Sequence, residues 1–289
     1  MIYGAYTALV TPFKDGNVDY TKLGELIEYQ IENKIDGIVI CGTTGESATL
    51  TDKEQKKVIK YAVETVNGRV PVIAGTGSND TEHVIELSKY AERVGADYLL
   101  IVTPYYNKTS QKGLYEHFKT IAENVTLPII IYNVPSRTGV NILPDTVLQL
   151  SSIDNIVGIK EASNNFSQIL ELISKVPKNF SVLSGNDDTI VPLLSIGGTG
   201  VISVLSNIFP KETHTICEAF KNNDVKYAKD LQLKYANIIK LLFKEPNPMP
   251  VKDALNILGF DVGNTRLPLT SVMEDTHELL KAELKKFFK

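Results

Sequence analysis

A (β/α)8 barrel (TIM-barrel class) carrying a C-terminal helical extension is the fold that this 289-residue sequence predicts. Three observations carry the prediction. Eight short apolar runs recur up to about residue 209, most segments between them have the 3.6-residue apolar period of an amphipathic helix, and beyond the eighth run only helical texture remains. Strand and helix alternating at roughly 20 to 35 residues per unit imply parallel pairing through right-handed crossovers, and eight such units suffice to close a barrel. An open doubly wound sheet is the alternative. It is disfavoured because no reversal of strand order is apparent and because Gly75-Thr76-Gly77, the one near match to a dinucleotide fingerprint, lacks the third glycine.

The expected strands are Ala5 to Val10, Gly37 to Cys41, Val70 to Ala74, Tyr98 to Val102, Pro128 to Tyr132, Ile156 to Lys160, Ser181 to Ser184 and Gly200 to Val204. Leu23, Ile27 and Ile31 mark the buried stripe of the first helix, and Val84, Leu87, Ala91 and Val94 that of the third. Helix starts are signalled by Asp19, by Asp80-Thr81-Glu82, and by Thr51 followed three residues later by Glu54, the pattern of a capping box. The extension reads as helices over roughly Lys211 to Asn222, Val225 to Phe243, Val251 to Leu258 and Met273 to Phe288. Glu245-Pro246-Asn247-Pro248-Met249-Pro250 interrupts them as an extended connection, since proline cannot continue a helix. The division expected is a catalytic barrel over residues 1–209 and an extension over 210–289 packed on it.

Hydrophobic residues make up 43%, charged residues 22%, and the net charge is −4. That balance suits an ordinary globular chain and argues against nucleic acid or an anionic membrane as partner. The N-terminal segment lacks the basic and apolar regions of a leader, and no run of 18 apolar residues occurs, so a cytoplasmic protein is expected. Cys41 and Cys217 are far apart in sequence and read as reduced structural thiols.

Chemistry in such a barrel gathers where strands end at their C-terminal side. There the sequence offers Gly42-Thr43-Thr44-Gly45-Glu46-Ser47, Thr103-Pro104-Tyr105-Tyr106-Asn107, Tyr132-Asn133-Val134-Pro135-Ser136-Arg137, Ile159-Lys160-Glu161 and Ser184-Gly185-Asn186-Asp187-Asp188. Lys160 closes a β-branched apolar run. A lysine drawn into such a site favours its neutral amine, a nucleophile toward carbonyl carbon, whereas one at a strand that ends early would only snorkel to water. Tyr132, one βα unit earlier, belongs on the adjacent strand, where a phenol can relay protons. Arg137 can grip a carboxylate or form a surface ion pair. The Thr-Thr loop can offer N–H groups to an anion or be a tight turn, the paired tyrosines can be a packed corner, and Asp187 and Asp188 read as helix caps. All four histidines fall within helical segments rather than at strand ends, which disfavours a metal-dependent enzyme.

Together with Gly158-Ile159-Lys160-Glu161-Ala162, Gly200-Val201-Ile202-Ser203 and Glu245-Pro246-Asn247-Pro248, these motifs resemble the pyruvate-dependent class I aldolases, the family of dihydrodipicolinate synthases and N-acetylneuraminate lyases, over essentially the whole chain. The double threonine and Ser136-Arg137-Thr138-Gly139 are similar to the synthase branch, which leaves the lyase branch as the alternative. The resemblance implies a lyase of lysine and diaminopimelate biosynthesis that condenses pyruvate with L-aspartate-4-semialdehyde to 4-hydroxy-tetrahydrodipicolinate. It implies an imine between pyruvate and Lys160 with no metal or other cofactor, proton transfer by Tyr132 through Thr43 to Tyr106 of a neighbouring subunit, and a pyruvate carboxylate held by Thr43 and Thr44. It further implies Arg137 on the second carboxylate, Gly185 and Ile202 lining the pocket, and a homotetramer built as a dimer of dimers.

Overall fold

A computed structural model of the chain describes residues 1–288. Eight strands form the closed barrel: β1 (Gly4–Ala8), β2 (Gly37–Ile40), β3 (Val72–Gly75), β4 (Tyr98–Val102), β5 (Ile129–Asn133), β6 (Ile156–Glu161), β7 (Ser181–Ser184) and β8 (Gly200–Ser203). Each pairs in parallel with its sequence neighbours and β8 closes on β1, with Gly4 opposite Gly200 and Thr7 opposite Ser203. These strands are buried on both faces, one toward the barrel axis and one toward the helices, so they read as continuous apolar runs rather than alternating ones. Tyr6, Val39, Ile73, Leu100, Ile130 and Leu183 fill the barrel, while a larger apolar layer lies between strands and helices.

The helical signals fold as the sequence indicates. In α1 (Tyr20–Glu32) Asp19 accepts from the Lys22 N–H at 3.0 Å, and in α3 (Thr81–Val94) Asp80 accepts from the Glu82 N–H at 3.0 Å. Between them, α2 (Asp52–Val66) carries the complete Thr51–Glu54 capping box. The ring continues with α4 (Gln111–Asn124), α5 (Pro144–Leu150), α6 (Phe166–Lys175), α7 (Ile190–Ser195) and α8 (Pro210–Lys221). Although α8 opens the expected extension, it lies against the start of β1: Tyr3 OH donates to the Cys217 carbonyl at 3.1 Å and His214 Nδ1 sits 2.9 Å from Asp36 Oδ2. It therefore also serves as the eighth barrel helix.

One expected helix is two. The segment from Val225 breaks at Tyr235, giving α9 (Val225–Lys234) and α10 (Ala236–Leu242). Tyr235, at the break, is buried with its ring 4.9 Å from that of Phe209 and 5.1 Å from that of Phe287. The chain ends in α11 (Met249–Ile257) and α12 (Glu274–Leu284). No helix among the described residues is long and apolar enough to cross a membrane.

Arg266, between α11 and α12, clamps the extension to the barrel. Its guanidinium donates to both carboxylate oxygens of Glu54, at 3.0 and 2.6 Å, and to the carbonyls of Thr49 and Gly16. These hydrogen bonds outweigh partial desolvation and hold the Glu54 carboxyl from 4.5 down to about 2. Because the folded state favours the ionised form, the clamp's stabilisation is full above pH about 4.5 and is lost as pH falls toward about 2. An Arg266→Gln variant is expected to be less stable at neutral pH and to lose less further stability across that acid window; denaturant unfolding at a series of pH values measures this, and identical acid slopes for the two proteins would contradict it.

Candidate active site

The parallel register brings Lys160 and Tyr132 together. On adjacent strands β5 and β6, Tyr132 is opposite Lys160 and Asn133 opposite Glu161. Alternation along a strand points the first pair into the barrel mouth and the second toward the helices. Lys160 is only 6% exposed, and its Nζ lies 4.4 Å from the centroid of the Tyr132 ring. Behind them the buried Glu161 carboxylate accepts from Asn133 Nδ2 at 3.0 and 3.2 Å and from the Ser163 N–H at 2.7 Å. Burial pushes the Glu161 carboxyl upward and these donors oppose the shift. Asn133 Oδ1 accepts from the Ile142 N–H at 3.2 Å, so both strand ends are fixed by a polar network that the substrate side never meets.

The space that Lys160 occupies exists because residue 185 has no side chain. A Cβ at Gly185 would stand 2.6 Å from the Ala162 Cβ and 3.1 Å from Lys160 Cε. Any larger residue would press on the lysine methylenes.

Thr43, Thr44, Tyr132, Arg137, Lys160 and Gly185 all line one cleft of about 170 Å³ at the C-terminal ends of the strands. Thr44 is buried, and its Oγ1 accepts from Asn247 Nδ2 at 3.0 Å, which leaves the hydroxyl proton free to donate to an anion in the cleft. Arg137 stands on the single helical turn Pro135–Thr138 after β5 and spends one N–H on the Asn247 carbonyl at 3.2 Å. The rest of its planar fork remains available for a carboxylate.

Two expected site residues are not brought to this cleft. Ile202 is fully buried among the barrel-interior side chains on β8, and it is Val204, two residues on, that lines the cleft. Tyr106 is 91% exposed and held with φ +67°, in a loop tied down by the Asn79 side chain donating to the Tyr105 carbonyl at 3.2 Å and Asn107 donating to the Asn79 carbonyl at 3.0 Å. Within one chain it takes no part in the cleft. Asp187 also differs from its expected role as cap of its own helix. Buried at the end of β7, it accepts from the backbone N–H groups of Val204 and Leu205 at 3.0 and 2.9 Å and so braces the end of β8. Burial drives its carboxyl upward against those bonds.

Sequence reasoning missed Asn164, Phe243 and Asn247 as wall residues. For Asn247 the signal lies in Glu245-Pro246-Asn247-Pro248, which carries part of the family resemblance but whose prolines by themselves indicate only a connection. Its Oδ1 is buried with no protein partner and belongs to a residue of the cleft wall. Among the described residues, no three or more His, Cys, Asp or Glu side chains converge as a metal site would require.

A barrel with a buried lysine beside a tyrosine, a free hydroxyl and an arginine fork has the form of an enzyme that uses an amine nucleophile on a carboxylated carbonyl compound. The comparisons with known proteins agree with that class. The Dihydrodipicolinate synthetase family is matched over residues 1–287. The 4-hydroxy-tetrahydrodipicolinate synthase of Acetivibrio thermocellus is 59% identical over 284 residues, spanning 98% of this chain and 97% of that relative. Among solved structures, dihydrodipicolinate synthase from Aquifex aeolicus superposes with a TM-score of 0.97 at 47% identity, covering 99% of this chain and 98% of that one. The chloride-inhibited dihydrodipicolinate synthase from Acinetobacter baumannii, complexed with pyruvate, superposes with a TM-score of 0.96 at 46% identity over 99% and 98% of the two chains. The chain belongs to the dihydrodipicolinate synthetase family.

Proposed function

We propose that this protein is a 4-hydroxy-tetrahydrodipicolinate synthase, a lyase of lysine and diaminopimelate biosynthesis that condenses pyruvate with L-aspartate-4-semialdehyde. The observation that carries the reading is the in-register Lys160–Tyr132 pair inside a cleft that also holds Thr44 and Arg137. The names of the relatives support the synthase over the neuraminate-lyase alternative, for which they give no support. The division into a catalytic barrel, 1–209, and an extension, 210–289, stays part of the reading, with α8 at the start of the extension completing the ring of barrel helices, as does a cytoplasmic location.

The Lys160 amine adds to the pyruvate ketone, and loss of water gives the imine. Its protonated form is an electron sink, so a methyl proton leaves to give an enamine without any metal. Tyr132, with its ring against Lys160, accepts and returns protons in these steps. The enamine carbon attacks the aldehyde carbon of the semialdehyde, whose oxygen takes up a proton. The semialdehyde's own amino group then displaces Lys160 from the imine, closing the ring and regenerating the enzyme. Thr43 and Thr44 hold the pyruvate carboxylate and Arg137 holds that of the second substrate; Gly185 keeps the space for Lys160 open, and Ile202 supports the wall from within the barrel.

Steady-state condensation assays test the reading. The protein is expected to consume both substrates and to leave N-acetylneuraminate uncleaved. In Arg137→Ala, kcat/KM for the semialdehyde is expected to fall roughly 10- to 150-fold, the loss of a charge-assisted contact of about 1.5 to 3 kcal/mol, while pyruvate imine formation changes little. Cleavage of N-acetylneuraminate without condensation would overturn the proposal.

The oligomeric reading rests on Tyr106. A large side chain, nearly fully exposed on an ordered loop and in a backbone region costly for a tyrosine, is suited to completing a site on a second copy. A symmetric pair would exchange Tyr106 both ways, and two such pairs would form the homotetramer. Sedimentation is expected to give a dimer or tetramer at assay concentrations, and Tyr106→Phe to slow turnover; a fully active monomer would refute the exchange.

A further inference from the structure

Two residues beyond Thr44 the backbone turns into the left-handed region at Glu46, φ +55°, and the side chain is buried. One carboxylate oxygen accepts from Lys252 Nζ at 2.9 Å and the other from the Arg266 N–H at 2.9 Å. Lys252, on α11, is 2% exposed. Besides Glu46 its ammonium donates to the Thr11 carbonyl at 3.0 Å and the Asn264 carbonyl at 2.9 Å, so all three protons are used, and Nζ lies 4.3 Å from the Phe13 ring centroid. The pair lies outside the cleft wall.

Both partners connect to Thr44 by short paths. Glu46 is two residues along the same loop, and the Gly45 carbonyl between them accepts from Thr11 Oγ1 at 2.6 Å, the residue whose own carbonyl receives Lys252. On the other side, α11 begins two residues after Asn247, whose Nδ2 donates to Thr44 Oγ1. Stability alone explains such a pair poorly, because replacing a buried ion pair by neutral groups of similar volume is often neutral or stabilising. The extension already has its clamp in Arg266–Glu54. A glutamate kept in a conformation that favours glycine, with both oxygens engaged, is better explained by the geometry it imposes on the loop.

We propose that Glu46 and Lys252 are positioning residues for the carboxylate end of the pyruvate site: their buried ion pair locks the Thr43–Thr44 loop against Asn247, so that the Thr44 hydroxyl is aimed at the substrate carboxylate. This rests on reading the cleft as a pyruvate site. Neither residue touches substrate, so the consequence is selective. Disturbing the pair weakens the use of pyruvate more than that of the aldehyde, because Arg137 is carried by the helical turn after β5 and only one of its N–H groups rests on the Asn247 carbonyl.

The test uses the purified full-length protein and the double variant Glu46→Gln/Lys252→Met, which removes both charges at similar volume and so leaves no unpaired buried ion. Three quantities are read: the denaturant midpoint, the pyruvate concentration that half-saturates borohydride-trapped imine, and KM for the semialdehyde. The midpoint is expected to fall modestly, since Met at 252 leaves the Thr11 and Asn264 carbonyls without their donor, half-saturating pyruvate to rise about tenfold or more, the order expected from losing one well-aimed hydrogen bond, and semialdehyde KM to stay within about twofold. Glu46→Asp, which keeps both charges but withdraws the carboxylate by one methylene, is expected to shift pyruvate saturation in the same direction and provides the reading if the double variant fails to fold. Unchanged pyruvate saturation in the folded variants, or an equal loss for both substrates, would overturn the proposal. Failure of the parent protein to trap any pyruvate would instead overturn the functional reading on which it stands.

Discussion

The burial of one lysine at the end of β6 is the constraint on which the rest of the site depends. An amine at 6% exposure needs its methylenes accommodated, its strand held in register and its surroundings shaped for a small carbonyl compound. The barrel meets each requirement with a different element. Parallel pairing sets Tyr132 directly opposite, the missing side chain at Gly185 leaves room for the Lys160 methylenes, and Glu161 with Asn133 fixes the same two strands from the helix side. The chemistry faces inward and the support faces outward because consecutive residues on a strand alternate, so neighbouring residues in sequence serve opposite sides of one wall.

Much of this was legible in the sequence because the signals are local. Strands buried on both faces give short apolar runs bounded by turns, and all eight fall within two residues of where they were expected. Asp19, Thr51 and Asp80 announce their helices because a cap and its N–H partner lie within three residues of each other. Lys160 and Tyr132 could be placed together for a related reason: successive strands in a barrel are neighbours, so residues one βα unit apart at strand ends converge.

What could not be read involves partners distant in sequence. Asn247 meets Thr44, Lys252 meets Glu46 and Arg266 meets Glu54 only when the extension folds back across the barrel mouth, and no spacing rule encodes such contacts. The break at Tyr235 is equally hidden, since the helical pattern runs on through it and the rings that Tyr235 packs against, Phe209 and Phe287, are distant in sequence. Ile202 was assigned to the pocket wall by resemblance, yet its side chain is spent inside the barrel, with Val204 at the wall. The extension is thus part of the site: the connection that interrupts its helices supplies the hydrogen bond that orients Thr44 and the carbonyl that receives Arg137.

The central claim is that Lys160, alone among the lysines of this chain, is the nucleophile toward pyruvate. Borohydride reduction in the presence of pyruvate, followed by mass spectrometry of the proteolysed protein, tests it most directly. The account predicts the mass of a reduced pyruvate adduct on the peptide containing Lys160 and on no other peptide, with no adduct and no condensation in Lys160→Ala. An adduct on another lysine, or condensation that survives the loss of Lys160, would contradict it.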